Sequence, residues 1–232
     1  MKRTPLPLLA ITALVSSPAL LPATSLAAPP AAARAGDWIV RGGLTYISPE
    51  EKTSNRHGEL GPALAGTDVS VASQAGFGGT LTYMVDDNIG FELLVGTPFK
   101  HNLTLNGGAL GDTALGSIEH LPPVASVIYE FDTGTGFNPY VGVGLNYTFI
   151  FDEEVDDQAR AAGVRSLELD DSFGMAAQIG ADYEITDNVL LNASVRYMRI
   201  ETTAEVRTAT GSTNVDVDIN PVVYTVALGY RF

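Results

Sequence analysis

Residues 215–232 read VDVDINPVVYTVALGYRF, and the alternation in this stretch decides the fold. Every second residue from Val222 is large and apolar: Val222, Tyr224, Val226, Leu228, Tyr230, Phe232. The intervening set, Val217, Ile219, Pro221, Val223, Thr225, Ala227, Gly229 and Arg231, becomes small and polar toward the end. A period of two makes a strand with two unlike faces. A large aromatic face opposite a small, partly polar one suits a strand with lipid outside and a narrow interior.

The same pattern recurs upstream. Segments 37–47, 69–85, 89–99, 117–131, 139–151, 166–184 and 189–206 each alternate, which with 215–232 predicts eight strands. In the first, Trp38, Val40, Leu44 and Tyr46 share one face, while Ile39, Arg41, Thr45 and Ile47 share the other. Val71 and Phe99 are assigned to the lipid face by the same count, as are Leu167 and Leu169, and Pro98 to the inner face. Short turns at 86–88, 132–138 and 186–188 alternate with longer, aperiodic connections at 48–68, 100–116, 152–165 and 208–214. The acidic stretch 152–157 reads as a solvated loop, with room for a short helix after it. An even strand number with short turns on one side and long loops on the other predicts an all-β chain. The expected form is an eight-stranded antiparallel transmembrane β-barrel over residues 37–232. Closing the sheet removes unpaired edges that lipid would not tolerate.

Composition agrees with this class. The chain carries 24 glycines, 9 tyrosines, 9 phenylalanines and no cysteine, so neither a disulfide scaffold nor thiol chemistry is available. Residues 1–28 read as an N-terminal signal peptide: Lys2 and Arg3, an apolar run broken by prolines, and small residues at Ser25 and Ala27. Residues 29–36 read as a short, mobile linker. Losing Lys2 and Arg3 takes the formal charge from −14 to −16, which argues against nucleic acid as a partner. No metal site or cofactor is expected, because His57 and His101 fall in loops without ligand spacing. An enzyme on this scaffold would need a Ser/His/acid group at the external rim. The three histidines lie on separate segments with no nucleophile signature nearby, so the chain reads as non-enzymatic.

With the long loops outside, the inward residues sort by depth. The outer half holds Ile47, Leu94, Val124, Ile150, Met198, Ile200, Val215, Val217 and Ile219, an apolar lining. Below it come Arg41, Glu92, Glu130, Gln178 and Arg196, a charged set expected to plug a narrow barrel. Such a lumen attracts apolar solutes from above and opposes their passage straight through. Pro98, Pro122 and Pro123 lie near the outer ends of neighbouring strands and lack ladder donors, which makes them candidates for a lateral opening.

Four elements together carry a family resemblance: His120-Leu121-Pro122-Pro123, residues 137–147 (FNPYVGVGLNY), residues 170–174 (DDSFG) and the closing Gly229-Tyr230-Arg231-Phe232. From about residue 36 to residue 232 the chain resembles the OmpW/AlkL family of outer-membrane proteins. Phe173 stands where relatives commonly carry Trp. The resemblance implies a bacterial outer-membrane channel for passive uptake of small hydrophobic molecules, released sideways into the membrane. It implies contact with lipid and lipopolysaccharide, and recognition of Phe232 by the barrel-assembly machinery; a monomer is expected. The alternative is a non-transporting structural or adhesion barrel, or a receptor for phage or toxins.

Overall fold

A computed structural model describes residues 32–50, 52–58, 67–107, 112–209 and 211–232. The expected signal peptide and residues 29–31 therefore lie outside the described residues. The strands are β1 Trp38–Ser48, β2 Lys52–Gly58, β3 Thr67–Val71, β4 Gln74–Met84, β5 Ile89–Gly96, β6 Phe99–Gly107, β7 Thr113–Leu121 and β8 Val124–Glu130. There follow β9 Phe137–Val155, a short helix α1 Asp157–Ala161, β10 Val164–Leu169, β11 Ser172–Glu184, β12 Val189–Met198, β13 Glu201–Thr208, β14 Ser212–Asp218 and β15 Val222–Arg231.

Eight of these close a barrel, in the order β9-β11-β12-β15-β1-β4-β5-β8 and back to β9, every pair antiparallel. Closure pairs the first and last strands in register, Ile39 opposite Arg231 through Ser48 opposite Val222. The two-residue period runs through the burial. In β1, Trp38, Val40, Leu44 and Tyr46 are exposed while Ile39, Arg41, Thr45 and Ile47 are buried. Exposed Trp38, Tyr83, Tyr129, Phe131, Phe137, Tyr183, Tyr230 and Phe232 ring the end with the short turns, and exposed Tyr46, Tyr147, Phe149, Tyr197 and Tyr224 ring the other. These are the two girdles that membrane interfaces select.

The long connections are not aperiodic loops. Residues 48–68 contain β2, residues 100–116 are largely β6 and β7, and 208–214 includes the start of β14. The 215–232 stretch itself is two strands, because the chain breaks at Ile219–Pro221, where Asn220 takes φ +37°. Asparagine tolerates that left-handed conformation better than most residues. Beyond the barrel rim, β10, β13, β14 and β2 form a four-stranded sheet, and β3, β6 and β7 extend the barrel sheet along the outer half of β9. Val71, Leu103 and Ile118 from one sheet pack against Leu167, Ala204, Val215 and Val217 from the other. Val71, Leu167 and Leu169 thus belong to this interior cluster and not to the lipid face: their strands stand outside the membrane, where the apolar face turns inward. Phe99 is likewise buried and Pro98 exposed, because the chain breaks between Gly96 and Phe99 and the alternation restarts in the opposite phase.

The segment before β1 is docked. The Gly36 N–H donates to the Met84 carbonyl at 2.8 Å, and the Ala35 N–H to Asp87 at 3.0 Å. Ala33 is buried against Ile39, Met84 and Leu190 at the short-turn end of the lumen, so this part of the linker is a cap.

The β1–β15 seam depends on a missing side chain. A Cβ on Gly43 would lie 2.1 Å from the Val226 carbonyl oxygen and 2.4 Å from the Ala227 Cα. Gly43→Ala is expected to cost about 1–3 kcal/mol through forced separation of the strands. The temperature at which the heat-modifiable folded band disappears on a gel should fall; an unchanged temperature would contradict this role.

Candidate functional site: a stratified lumen and an interrupted wall

The lumen is layered. In its lower half, Glu92 on β5 sits between two arginines. Arg196 donates to its Oε1 at 2.7 Å, and Arg41 lies 3.5 Å from its Oε2. Gln178 and Thr82 complete its hydrogen bonds at 2.8 and 3.2 Å, and Gln178 also accepts from Arg196. Arg41 makes a two-point pair with Asp182, donates to Thr82 at 2.7 Å and stacks 5.7 Å from the Tyr140 ring centre. Asn192 ties Asp182 to the Tyr140 hydroxyl. All these charged groups are at most 3 % exposed. Below them, Arg231 pairs with Glu184 at 2.9 Å, and Glu130 is buried nearby. Charges are held dry only when paired this closely, because removing one partner costs about 3–5 kcal/mol.

The expected plug residues Arg41, Glu92, Gln178 and Arg196 are thus in one network. Glu130 lies apart from it, among the groups at the lower mouth. Asp182 and Asn192 belong to the network, and their inward register on β11 and β12 was legible from the alternation.

Above the charged layer, Ile47, Val124, Met198 and Ile200 form an apolar cluster with Phe99, Ala176 and Val223, flanked by Leu94 and Ile219. Ile150, Val215, Val217 and Ile219 belong to the next cluster outward, between the external sheets. A pocket between the two levels is lined by Ile47, Val71, Ile118, Ile150 and Ile200 together with His101 and His120. It is narrow, with about 10 Å³ open to the centre of a water-sized sphere. A solute must move side chains to enter it.

His101 and His120 belong to separate segments of the sequence, the first expected in a loop. They stand on neighbouring strands β6 and β7, stacked with ring centres 4.8 Å apart. The missed signal was the two-residue period of Phe99, His101, Leu103 and Leu105, all buried. Among the described residues, no exposed large apolar residue falls between Phe99 and Leu121, so this pair sits beyond the lipid band. Burial pushes both imidazoles below their usual 6.5, and the neighbouring His101 helps to hold His120 at about 3.

The wall is interrupted just below the pair, beside exposed Val95 and Phe149 at the outer edge of the lipid band. β5 and β8 pair up to Leu94 opposite Val124, and β6 and β7 resume at Phe99 opposite His120, with no pair between Val95–Pro98 and Leu121–Pro123. Pro98 is on one side of the break, Pro122 and Pro123 on the other. Proline has no N–H for the ladder. Phe99 covers the break from inside. Its ring fits because Gly76 lacks a side chain: a Cβ there would lie 2.6 Å from the ring. Phe173 points to the lipid side, 67 % exposed, away from this region.

A family model described as the OmpW family matches residues 34–232. The chain belongs to the OmpW family. This OmpW-family barrel is 43% identical over 210 residues to Outer membrane protein W of Vibrio cholerae serotype O1, covering 88% of this chain and 93% of that one. Its fold matches the crystal structure of the outer membrane protein OprG from Pseudomonas aeruginosa with a TM-score of 0.81 at 38% identity, over 87% of this chain and 98% of that one. A more distant relative is the Dibenzothiophene metabolism operon protein PahQ of Pseudomonas aeruginosa, 25% identical over 150 residues, or 65% of this chain and 68% of that one. The protein is an outer-membrane β-barrel.

The histidine pair makes a pH prediction. Below about 6.5 the unfolded chain takes up protons that the folded chain refuses, so the neutral pair's contribution is intact above 6.5 and is lost as pH falls toward 3. Lowering pH from about 7 to about 4 should speed amide exchange in β6 and β7 relative to β12 and β15, after correction for intrinsic rates. Equal acceleration in all four strands would contradict it.

Proposed function

We propose that this barrel passes small apolar molecules from outside into its upper lumen and releases them sideways into the membrane. The observation that carries the reading is the coincidence in height of the apolar cluster and the wall break. The residues that would line the route are Ile47, Leu94, Val124, Ile150, Met198 and Ile200, and from the external side Val215, Val217 and Ile219. An apolar solute gains about 25 cal/mol for each Å² it buries there. Moving down, it would have to separate Arg41, Glu92 and Arg196 and leave buried charges unpaired. Moving sideways, it exchanges an apolar pocket for lipid at little cost. Pro98, Pro122 and Pro123 keep the exit from zipping shut, and Phe99 is the flap over it. Glu130 and the docked Ala33 reinforce closure at the lower mouth. PahQ, whose name ties it to metabolism of an apolar aromatic compound, supports the same class of solute.

Pro122→Ala with Pro123→Ala returns two N–H donors, of which the one at 122 faces the break and the one at 123 faces β9, where the Pro123 carbonyl accepts from Tyr147 at 3.1 Å. Each restored ladder bond is worth roughly 0.5–1.5 kcal/mol, or about two- to tenfold in how often the wall opens. Uptake of a long-chain alkyl probe into vesicles bearing the variant should slow accordingly, while its heat-modifiable folding stays intact. Unchanged uptake by a folded variant would remove the prolines from the mechanism.

A further inference from the structure

The upper pocket holds two polar atoms with nothing to bind. His101 is 1 % exposed and His120 8 %. His101 Nδ1 lies 2.6 Å from the Ala72 carbonyl oxygen, which can only accept, so Nδ1 carries the proton. The other nitrogen of a neutral imidazole is then a bare acceptor, and His101 Nε2 is buried with no hydrogen-bond partner. His120 Nδ1 is also buried without a partner. Leaving such an atom unsatisfied is unfavourable, and native structures rarely do so without a reason. Apart from Thr148, whose Oγ1 accepts from Asn146 at 2.7 Å, the rest of the lining is isoleucine, valine and proline, and none of it is hydrogen-bonded to either nitrogen, so both are open to a partner from outside the chain.

We propose that His101 and His120 read a polar head on the solute, so that the pocket prefers an apolar chain ending in one hydroxyl, as in a medium-chain alcohol or an un-ionised carboxylic acid, over a bare hydrocarbon. This rests on the pocket being the solute route. A hydroxyl can donate to His101 Nε2 and accept from a proton on His120 Nδ1 at once, and an un-ionised acid does the same with its two oxygens. A hydrocarbon leaves both nitrogens orphaned. An ether can accept from His120 but has nothing to donate to His101. A carboxylate also lacks the donor, and burial beside neutral imidazoles disfavours its charge. The stacked rings are therefore specificity-determining, and the apolar lining holds the chain. The ring of Phe99, 6.0 Å from His120, places this head-reading position beside the lateral break.

The test uses the full chain in phospholipid nanodiscs with ¹⁵N-labelled histidine, and three probes of equal chain length: 1-decanol, decyl methyl ether and decane. Decanol should move the ring signals of both His101 and His120. The ether should leave His101 Nε2 unmoved, and decane should move neither. A second measurement compares decanol with decane uptake into vesicles loaded with cyclodextrin. The alcohol-to-alkane ratio should fall about two- to tenfold in His101→Phe and in His120→Phe, the worth of one neutral hydrogen bond. His101→Gln and His120→Gln, which keep an acceptor and a donor, should retain most of it. The proposal is overturned by equal ratios in wild type and Phe variants, or by ring signals that respond alike to all three probes. Signals unmoved by decanol while uptake proceeds would identify water as the partner and also overturn it. If neither probe enters faster than through protein-free vesicles, the solute route itself fails, and this proposal falls with it.

Discussion

In lipid, every backbone N–H and C=O has to find a partner within the protein, and that constraint shapes this molecule more than any single side chain. It forces the eight strands to close, pairs the first strand with the last, and leaves room inside for only a few layers of side chains. Among the described residues the outer wall lapses between β9 and β10, between β2 and β3, and, nearest the apolar cluster, between Val95–Pro98 and Leu121–Pro123. Three prolines flank this last lapse, and the buried Phe99 begins the strand beside it. On the proposed route this is where the wall opens.

The charged layer is the complement of that break. Glu92 accepts from Arg196 and lies 3.5 Å from Arg41, Asp182 pairs with Arg41, and Gln178, Thr82 and Asn192 add hydrogen bonds, while Arg196 Nε is buried without a partner. Such a network holds its geometry because each member is costly to orphan. Beside Arg41, Tyr140 and Arg196 about 10 Å³ is open to the centre of a water-sized sphere, as little as in the pocket above, and beneath the layer Ala33 is buried against Ile39, Met84 and Leu190. The charged layer, the apolar cluster above it and the lapse in the wall beside that cluster are the three features on which the proposed route rests.

Much of this was legible from alternation alone. Arg41, Glu92 and Arg196 were placed inward by counting from neighbouring aromatics, because within the lipid band outward positions are almost uniformly apolar. The count failed where the lipid ended. Above the rim the apolar face turns inward, so Val71 and Leu167 reverse sides, and the break at Thr97–Pro98 shifts the phase so that Phe99 turns in. The external strands have polar outer faces and irregular register, with bulges near Gly116 and Asn55, and so read as loops. His101 and His120 lie nineteen positions apart in sequence and meet only through the β6–β7 pairing, which no local pattern encodes. The docking of Ala33 has no periodic signature either.

The central claim is that an apolar molecule enters from above and leaves through the side without crossing the charged layer. A photoactivatable diazirine on a decyl chain, supplied to the full-length protein in lipid vesicles and followed by mass-spectrometric mapping, reads that path directly. The account predicts labels on Phe99, on Val95–Pro98 and on Leu121–Pro123, with none below Glu92. Labels on Glu130, Glu184 or Arg231 would place the solute on a straight axial route and contradict it.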